Sequence, residues 1–314
     1  MKFVSDPAPD CVLPAPEREY RIRSADGHQV HAEAFGPEGA PLVVLAHGWT
    51  CSIAFWAPVI RQLAGDYRVV AYDQRGHGRS GTPATPAGYS TAKLADDLEA
   101  VLAEVVPAGE RAVLAGHSMG GMTVMAAADR TGVADRTAAA VLISTGAGDL
   151  VAELKVLTVA VPGTKLALHR MLLSSRLPLG RPNGLTAAAL KYATMGLDTP
   201  ADRVAAVVRV VHACPTRVRY RWSQVLATLD EYHQLPRLAA PTSVIVGTRD
   251  RLTPPVHAQR IAAALPDPQG LLQLAGVGHM APVERPAEVA AEIRRLAKIG
   301  AVADAGVTEG SVAE

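Results

Sequence analysis

Five uninterrupted apolar runs constrain the fold of this chain more than any other feature. They occupy residues 42–46 (LVVLA), 68–72 (RVVAY), 111–115 (RAVLA), 138–143 (AAAVLI) and 242–246 (TSVIV). A strand with one face in water alternates polar and apolar residues. Runs without alternation suit strands covered on both faces of a parallel sheet. Helical patterns fall between them. In residues 91–106, Leu94, Leu98, Val101, Leu102 and Val105 recur at three- and four-residue steps, with Asp96, Asp97 and Glu99 at the intervening positions. One stripe is expected to face the sheet and the rest to face water. Further helices are expected at 119–130, 254–264 and 287–297, and a late strand at 270–274. Repeated strand–helix alternation predicts an α/β fold, a mostly parallel sheet covered by helices.

The rhythm breaks in one place. Residues 148–235 read as helical, carry prolines at 162, 178, 182, 200 and 215, and hold no clear parallel-strand run. Placed between two core strands, this stretch predicts a helical cap inserted into a core of two parts, 18–147 and 236–299. Residues 1–17 contain four prolines and read as an extended lead-in. Ala25-Asp26-Gly27-His28 between two short runs predicts a hairpin. Residues 300–314 lack a strong period and are expected to fray as a C-terminal tail.

Composition excludes several classes. The 314 residues include 31 basic and 30 acidic side chains, a formal net charge of +1. No long-range field favours nucleic acid. Arg217, Arg219 and Arg221 cluster locally and read as a solvated helix face or as local ion pairing. Cys11, Cys51 and Cys214 are too few and too widely spaced for a disulfide framework or a zinc site. No apolar stretch reaches the length of a membrane span, and the first residues lack the apolar core of a secretion signal. A cytoplasmic protein is the default expectation. Oligomeric state is not readable from these patterns.

The chemistry centres on Gly116-His117-Ser118-Met119-Gly120, spaced G-x-S-x-G between a buried strand and an apolar helix. A sharp strand-to-helix turn forces the central serine into a strained backbone state, and glycine neighbours let the turn close. Ser118 would then project at the carboxyl end of the sheet, where the first turn of the helix aims its free N–H groups. A serine hydroxyl needs a base. Of ten histidines, His279 in Gly276-Val277-Gly278-His279 follows the last strand and precedes the last helix. A third group must orient the imidazole. Asp250 follows the strand ending at Val246, and Asp149 in Gly146-Ala147-Gly148-Asp149 is the alternative acid.

The chain resembles the α/β-hydrolase family, in its serine-nucleophile members with a helical cap, over roughly residues 19–298. His47-Gly48-Trp49-Thr50, Asp73-Gln74-Arg75-Gly76-His77-Gly78-Arg79-Ser80, the elbow at Ser118 and Gly278-His279-Met280 carry the resemblance, in the family's order. It implies Ser118, Asp250 and His279 as nucleophile, acid and base. It also implies an oxyanion hole built from the backbone amides of Met119 and Trp49. The Trp49 indole would line the acyl pocket or pack under the cap. His47 and His77 read as loop-ordering residues, Asp73 and Arg75 as an ion pair, and Cys51 as packing.

The expected activity is hydrolysis of a carboxylic ester of a small or medium, fairly apolar substrate, with no metal or organic cofactor. Relatives that open epoxides or displace halides usually carry aspartate at the nucleophile position, so the serine weighs against those reactions. The resemblance extends to cofactor-free perhydrolases, also called haloperoxidases. Lactonase, thioesterase and carbon–carbon bond hydrolase activities remain open, as does a non-catalytic ligand-binding module. The apolar cap positions are Leu154, Leu157, Leu166, Leu168, Met171, Leu172, Leu173, Met195, Trp222, Leu226 and Leu229, and some of them should roof the serine.

Overall fold

Each of the five apolar runs is a buried strand in the computed structural model, which describes residues 5–157, 176 and 180–310. The strands are β1 (Arg18–Arg23), β2 (Gln29–Phe35), β3 (Leu42–Ala46), β4 (Arg68–Asp73), β5 (Ala112–His117), β6 (Thr137–Ile143), β7 (Thr242–Gly247) and β8 (Pro268–Leu274). They form one eight-stranded sheet in the order β1-β2-β4-β3-β5-β6-β7-β8. β1 pairs antiparallel with β2, and β2 with β4; every later pairing is parallel. The expected hairpin joins β1 to β2, with Gly27 at φ +80°.

Strand residues divide by parity between two apolar layers. Leu42, Val44, Ala112 and Leu114 pack on one face; Val43, Leu45, Val113 and Ala115 pack on the other. α2 (Thr91–Val105) and α3 (Met119–Ala126) cover the first face, and α1 (Ala57–Leu63) and α11 (Pro286–Gly310) the second. α2 begins where the Ser90 side chain accepts from the Lys93 amide at 3.2 Å. Its apolar stripe is buried as the spacing requires. Asp97 departs from expectation: it is fully buried, because the buried Arg75 guanidinium meets it at 2.7 and 2.5 Å. Arg75 therefore does not pair with Asp73. The Asp73 carboxylate instead accepts the Ile53 and Arg79 amides, each at 2.8 Å. α11 continues to Gly310, through eleven of the residues expected to fray.

The insertion carries α5 (Leu150–Glu153), α6 (Gly184–Thr194), α7 (Ala201–Ala213) and α8 (Thr216–Leu226). Leu166, Leu168, Met171, Leu172 and Leu173 lie outside the described residues. A single bridge between Gly148 and Asp230 ties the start of the insertion to its end. Trp222 is wholly buried, donates its indole N–H to the Arg75 carbonyl at 3.1 Å and meets the Tyr89 ring edge-on. It clamps α8 to the core. The lead-in is tied to α7, where Asp10 pairs with Arg203 at 2.7 Å and Asp6 with Arg209 at 3.0 Å. No helix among the described residues is long and apolar enough to cross a membrane.

Candidate active site

The elbow sits where β5 passes into α3. Ser118 has φ 52° and ψ −116°, a conformation that side chains with a Cβ rarely adopt. Close approach explains the flanking glycines. A Cβ at Gly116 would lie 2.5 Å from the Gly120 carbonyl oxygen, and one at Gly120 would collide with the Ala46 carbonyl. The turn is held from both sides. The Ser118 amide donates to the Ile143 carbonyl at 2.9 Å, and the Ser118 carbonyl accepts the Thr145 hydroxyl at 2.7 Å. Met119 is the first residue of α3, so its N–H has no acceptor within the helix.

The loop after β3 presses against this turn. A Cβ on Gly48 would lie 3.0 Å from the Ser118 Cβ and 2.8 Å from His117 Nδ1. Two buried imidazoles hold the loop in the same manner. His47 Nδ1–H donates to the Gly48 carbonyl at 2.8 Å while Nε2 accepts the Gln74 amide at 3.0 Å. His77 Nδ1–H donates to the Arg75 carbonyl at 3.2 Å while Nε2 accepts the Thr50 amide at 3.3 Å. Burial penalises the charged rings and pulls His47 down to about 3 and His77 down to about 4. Both stay neutral near pH 7, the form that offers one donor and one acceptor. The Gln74 side chain donates to the His47 carbonyl and accepts the Thr123 hydroxyl at 2.7 Å. Trp49 lines the cavity over Ser118, and its indole N–H donates to the Arg219 carbonyl at 3.1 Å.

On the opposite side, the loop after β7 presents Asp250, 3% exposed. One carboxylate oxygen accepts the Leu252 and Thr253 amides, each at 2.9 Å. The other accepts the Thr253 hydroxyl at 2.9 Å and faces His279 Nδ1 at 2.9 Å. This arrangement places the proton on Nδ1 and leaves Nε2 as the basic atom. The His279 amide donates to the Thr194 carbonyl at 2.7 Å, so the cap also positions this loop. Asp149 is elsewhere: its side chain is 62% exposed and lies 3.6 Å from Arg260.

Ser118, His279 and Trp49 line one cavity of about 430 Å³, a size that suits a small ligand. Leu154 and Leu226 roof it from the insertion. Met195, Trp222 and Leu229 are buried in the packing instead. Arg219 also lines the cavity and is 8% exposed, whereas Arg217 is exposed and reaches the Ala84 carbonyl. The arginine cluster is therefore not a uniformly solvated face. Cys51 is buried, with its thiol pushed up by burial, in keeping with a packing role.

Three residues that hold the site escaped sequence reasoning. Thr253 bonds Asp250 and lies 3.2 Å from His279 Nδ1. His117 Nε2–H donates to the His279 carbonyl at 2.9 Å, and burial holds its ring neutral. Glu284 accepts the Gly278 amide at 3.0 Å, the Gly196 amide at 2.7 Å and the Thr199 hydroxyl at 2.7 Å. Glu284 thereby joins the His279 loop to the insertion. His117 lay in view inside the elbow motif; Thr253 and Glu284 had no local signal.

Comparison with known proteins agrees with this architecture. The family model for the alpha/beta hydrolase fold matches residues 41–286. A probable oxidoreductase, EphD, of Mycobacterium tuberculosis is 36% identical over 133 residues, which span 42% of this chain and 22% of that protein. Epoxide hydrolase B of the same species is 40% identical over 104 residues, 32% of this chain and 29% of that protein. The chain thus matches less than a third of the length of either relative. Among solved structures, the esterase RhEst1 of Rhodococcus sp. ECU1013 superposes with a TM-score of 0.67 at 27% identity, over 89% of this chain and 98% of that one. With the family model matched across most of its length, the chain belongs to the alpha/beta-hydrolase fold family.

Proposed function

We propose that this chain is a serine hydrolase that cleaves a carboxylic ester of a small or medium, fairly apolar substrate through an acyl intermediate on Ser118. One observation carries the reading: a strained Ser118 shares a mostly apolar cavity with a His279 ring whose Nδ1 faces the buried, fully bonded Asp250 carboxylate. Ser118 Oγ attacks the ester carbonyl as His279 Nε2 takes its proton. Asp250 stabilises the resulting imidazolium and holds its tautomer. The carbonyl oxygen becomes an oxyanion between the amides of Met119 and Trp49, each worth about 3 kcal/mol when aimed at developing charge. His279 then protonates the departing alcohol. A water, deprotonated by the same ring, releases the acid and restores Ser118.

The likeness to RhEst1, named an esterase, supports ester hydrolysis. Epoxide opening has less support here, because Ser118 occupies the position where epoxide-opening relatives usually carry aspartate. The test is labelling by a serine-reactive fluorophosphonate, together with turnover of short-chain p-nitrophenyl esters. Wild type should label and turn over, and Ser118→Ala should do neither. A folded wild type that neither labels nor hydrolyses, or equal activity in Ser118→Ala, overturns the reading.

A further inference from the structure

The cavity wall over Ser118 is mostly hydrocarbon, with Leu150, Val151, Leu154, Leu190, Val211 and Leu226 supplying much of it. Among the described residues, two side chains that line it carry a buried polar atom with no hydrogen-bond partner: His117 at Nδ1 and His212 at Nε2. A Cβ on Gly48 would lie 2.8 Å from His117 Nδ1, so the backbone of the oxyanion loop faces that atom. His212 is placed differently. It stands on α7, in the insertion, and takes no part in the proposed chemistry. Its Nδ1 lies 2.8 Å from the Val208 carbonyl oxygen, which can only accept. The proton of the neutral ring therefore sits on Nδ1, and Nε2 keeps a lone pair. A buried acceptor without a donor costs free energy until a bound molecule supplies one. The chemistry of that donor is narrow. A carboxylate or an ether has no hydrogen to give. An ammonium brings three donors and a charge, and a primary amide brings two donors, to a single unpaired acceptor in an apolar wall. A hydroxyl brings one.

We propose that His212 determines specificity, and that the preferred substrates are esters bearing a hydroxyl on the chain that reaches α7. The hydroxyl donates to His212 Nε2, and the apolar wall covers the hydrocarbon between it and the ester group. A substrate that carries only hydrocarbon to this point leaves the acceptor unsatisfied and binds less well. The inference rests on the ester-hydrolase reading for which bond is cleaved, but recognition of the hydroxyl is a matter of binding.

The test separates the two. Binding is measured by titration calorimetry on Ser118→Ala, which on that reading cannot turn the ligand over. One ligand series is the methyl esters of ω-hydroxyhexanoic, ω-hydroxyoctanoic and ω-hydroxydecanoic acids, with the hydroxyl on the acyl side. The other is the monoacetates of the terminal diols of butane, hexane and octane, with the hydroxyl on the alcohol side. Each ligand is paired with its O-methyl ether, which keeps the oxygen and loses the donor. At least one hydroxy ester should bind about fivefold or more tightly than its ether, and adding His212→Phe should abolish that preference. A hydroxyl preference in no pair, with His212 intact, overturns the proposal without any substitution at that position. A preference that survives His212→Phe overturns it as well. Turnover of p-nitrophenyl esters by the wild type reads the chemistry independently. Its absence sinks the ester-hydrolase reading and leaves the binding result standing.

Discussion

The two halves of the site are built from opposite kinds of polar group. The oxyanion half, around the loops after β3 and β4, hangs on two neutral imidazoles, His47 and His77, each giving one hydrogen bond and accepting another. The base half, around the loops after β7 and β8, hangs on two buried carboxylates, Asp250 and Glu284, which only accept. The difference follows from what each half must do. In the mechanism we propose, the oxyanion half presents backbone N–H groups to a developing negative charge, and neutral braces add no opposing charge. In the same proposed mechanism the base half must stabilise an imidazolium, and a carboxylate does that directly. The halves should therefore fail differently.

The largest expected effect is in the base half. Asp250→Asn should lower kcat by about 10⁴-fold while leaving the fold intact, since the amide can no longer hold the basic tautomer of His279. A loss below tenfold in steady-state ester turnover would break the assignment of the acid. Next, Glu284→Gln turns an acceptor oxygen into a donor facing N–H groups, and should cost about 1–3 kcal/mol in urea unfolding. Burial raises the Glu284 carboxyl, so its contribution is full at low pH and is lost as pH rises through the folded value. The stability gap between wild type and Glu284→Gln should accordingly narrow as pH rises.

The oxyanion half should respond to pH in the opposite sense. His77 is held near 4 in the folded chain against 6.5 in its ordinary state. Between those values the unfolded chain binds the extra proton, so stability is present above the upper value and falls as pH drops through the window. His77→Gln should flatten the fall by roughly 1.4 kcal/mol per pH unit. Urea midpoints measured across the window check this, and parallel slopes would remove the contrast between the halves. The smallest effect is expected at Asp149→Asn. Loss of one exposed ion pair with Arg260 should change stability by less than about 1 kcal/mol and kcat by less than about twofold.

Much of this was legible because it is local in the chain. The strand runs, the elbow and the loops bearing Asp250 and His279 announce themselves within a few residues each. The braces do not. Arg75 sits two positions from Asp73, yet its partners are Asp97 and Asp26, brought in by α2 and by the β1–β2 turn. Nearness in sequence suggested the wrong pair because β4 ends at Asp73 and the chain turns at Arg75, so the rule that residues two apart on a strand share a face does not reach it. Glu284 reads as an ordinary acid in a first helical turn; only the docking of the insertion supplies Gly196 and Thr199 to it. Arg219 is an intermediate case. On a helix, residues 217 and 221 share a face and 219 points to the other side. Once α8 is recognised as a helix, the middle arginine can be separated from its neighbours, but which face meets the cavity depends on how α8 docks.

The ends of the sheet bear on how this protein behaves in a crowded solution. Among the described residues β1 and β8 are its outer strands, each with one row of backbone groups left unpaired by the sheet. Such a row invites another chain to add on, the first step toward aggregation. β1 answers with a sequence dense in charge, Arg18, Glu19, Arg21 and Arg23, whose side chains are mostly exposed. β8 opens with Pro268, which has no N–H to offer, and its register against β7 shifts between Thr242 and Val244. The charges and the proline make both margins of the sheet that carries the elbow poor templates for a strand from another chain.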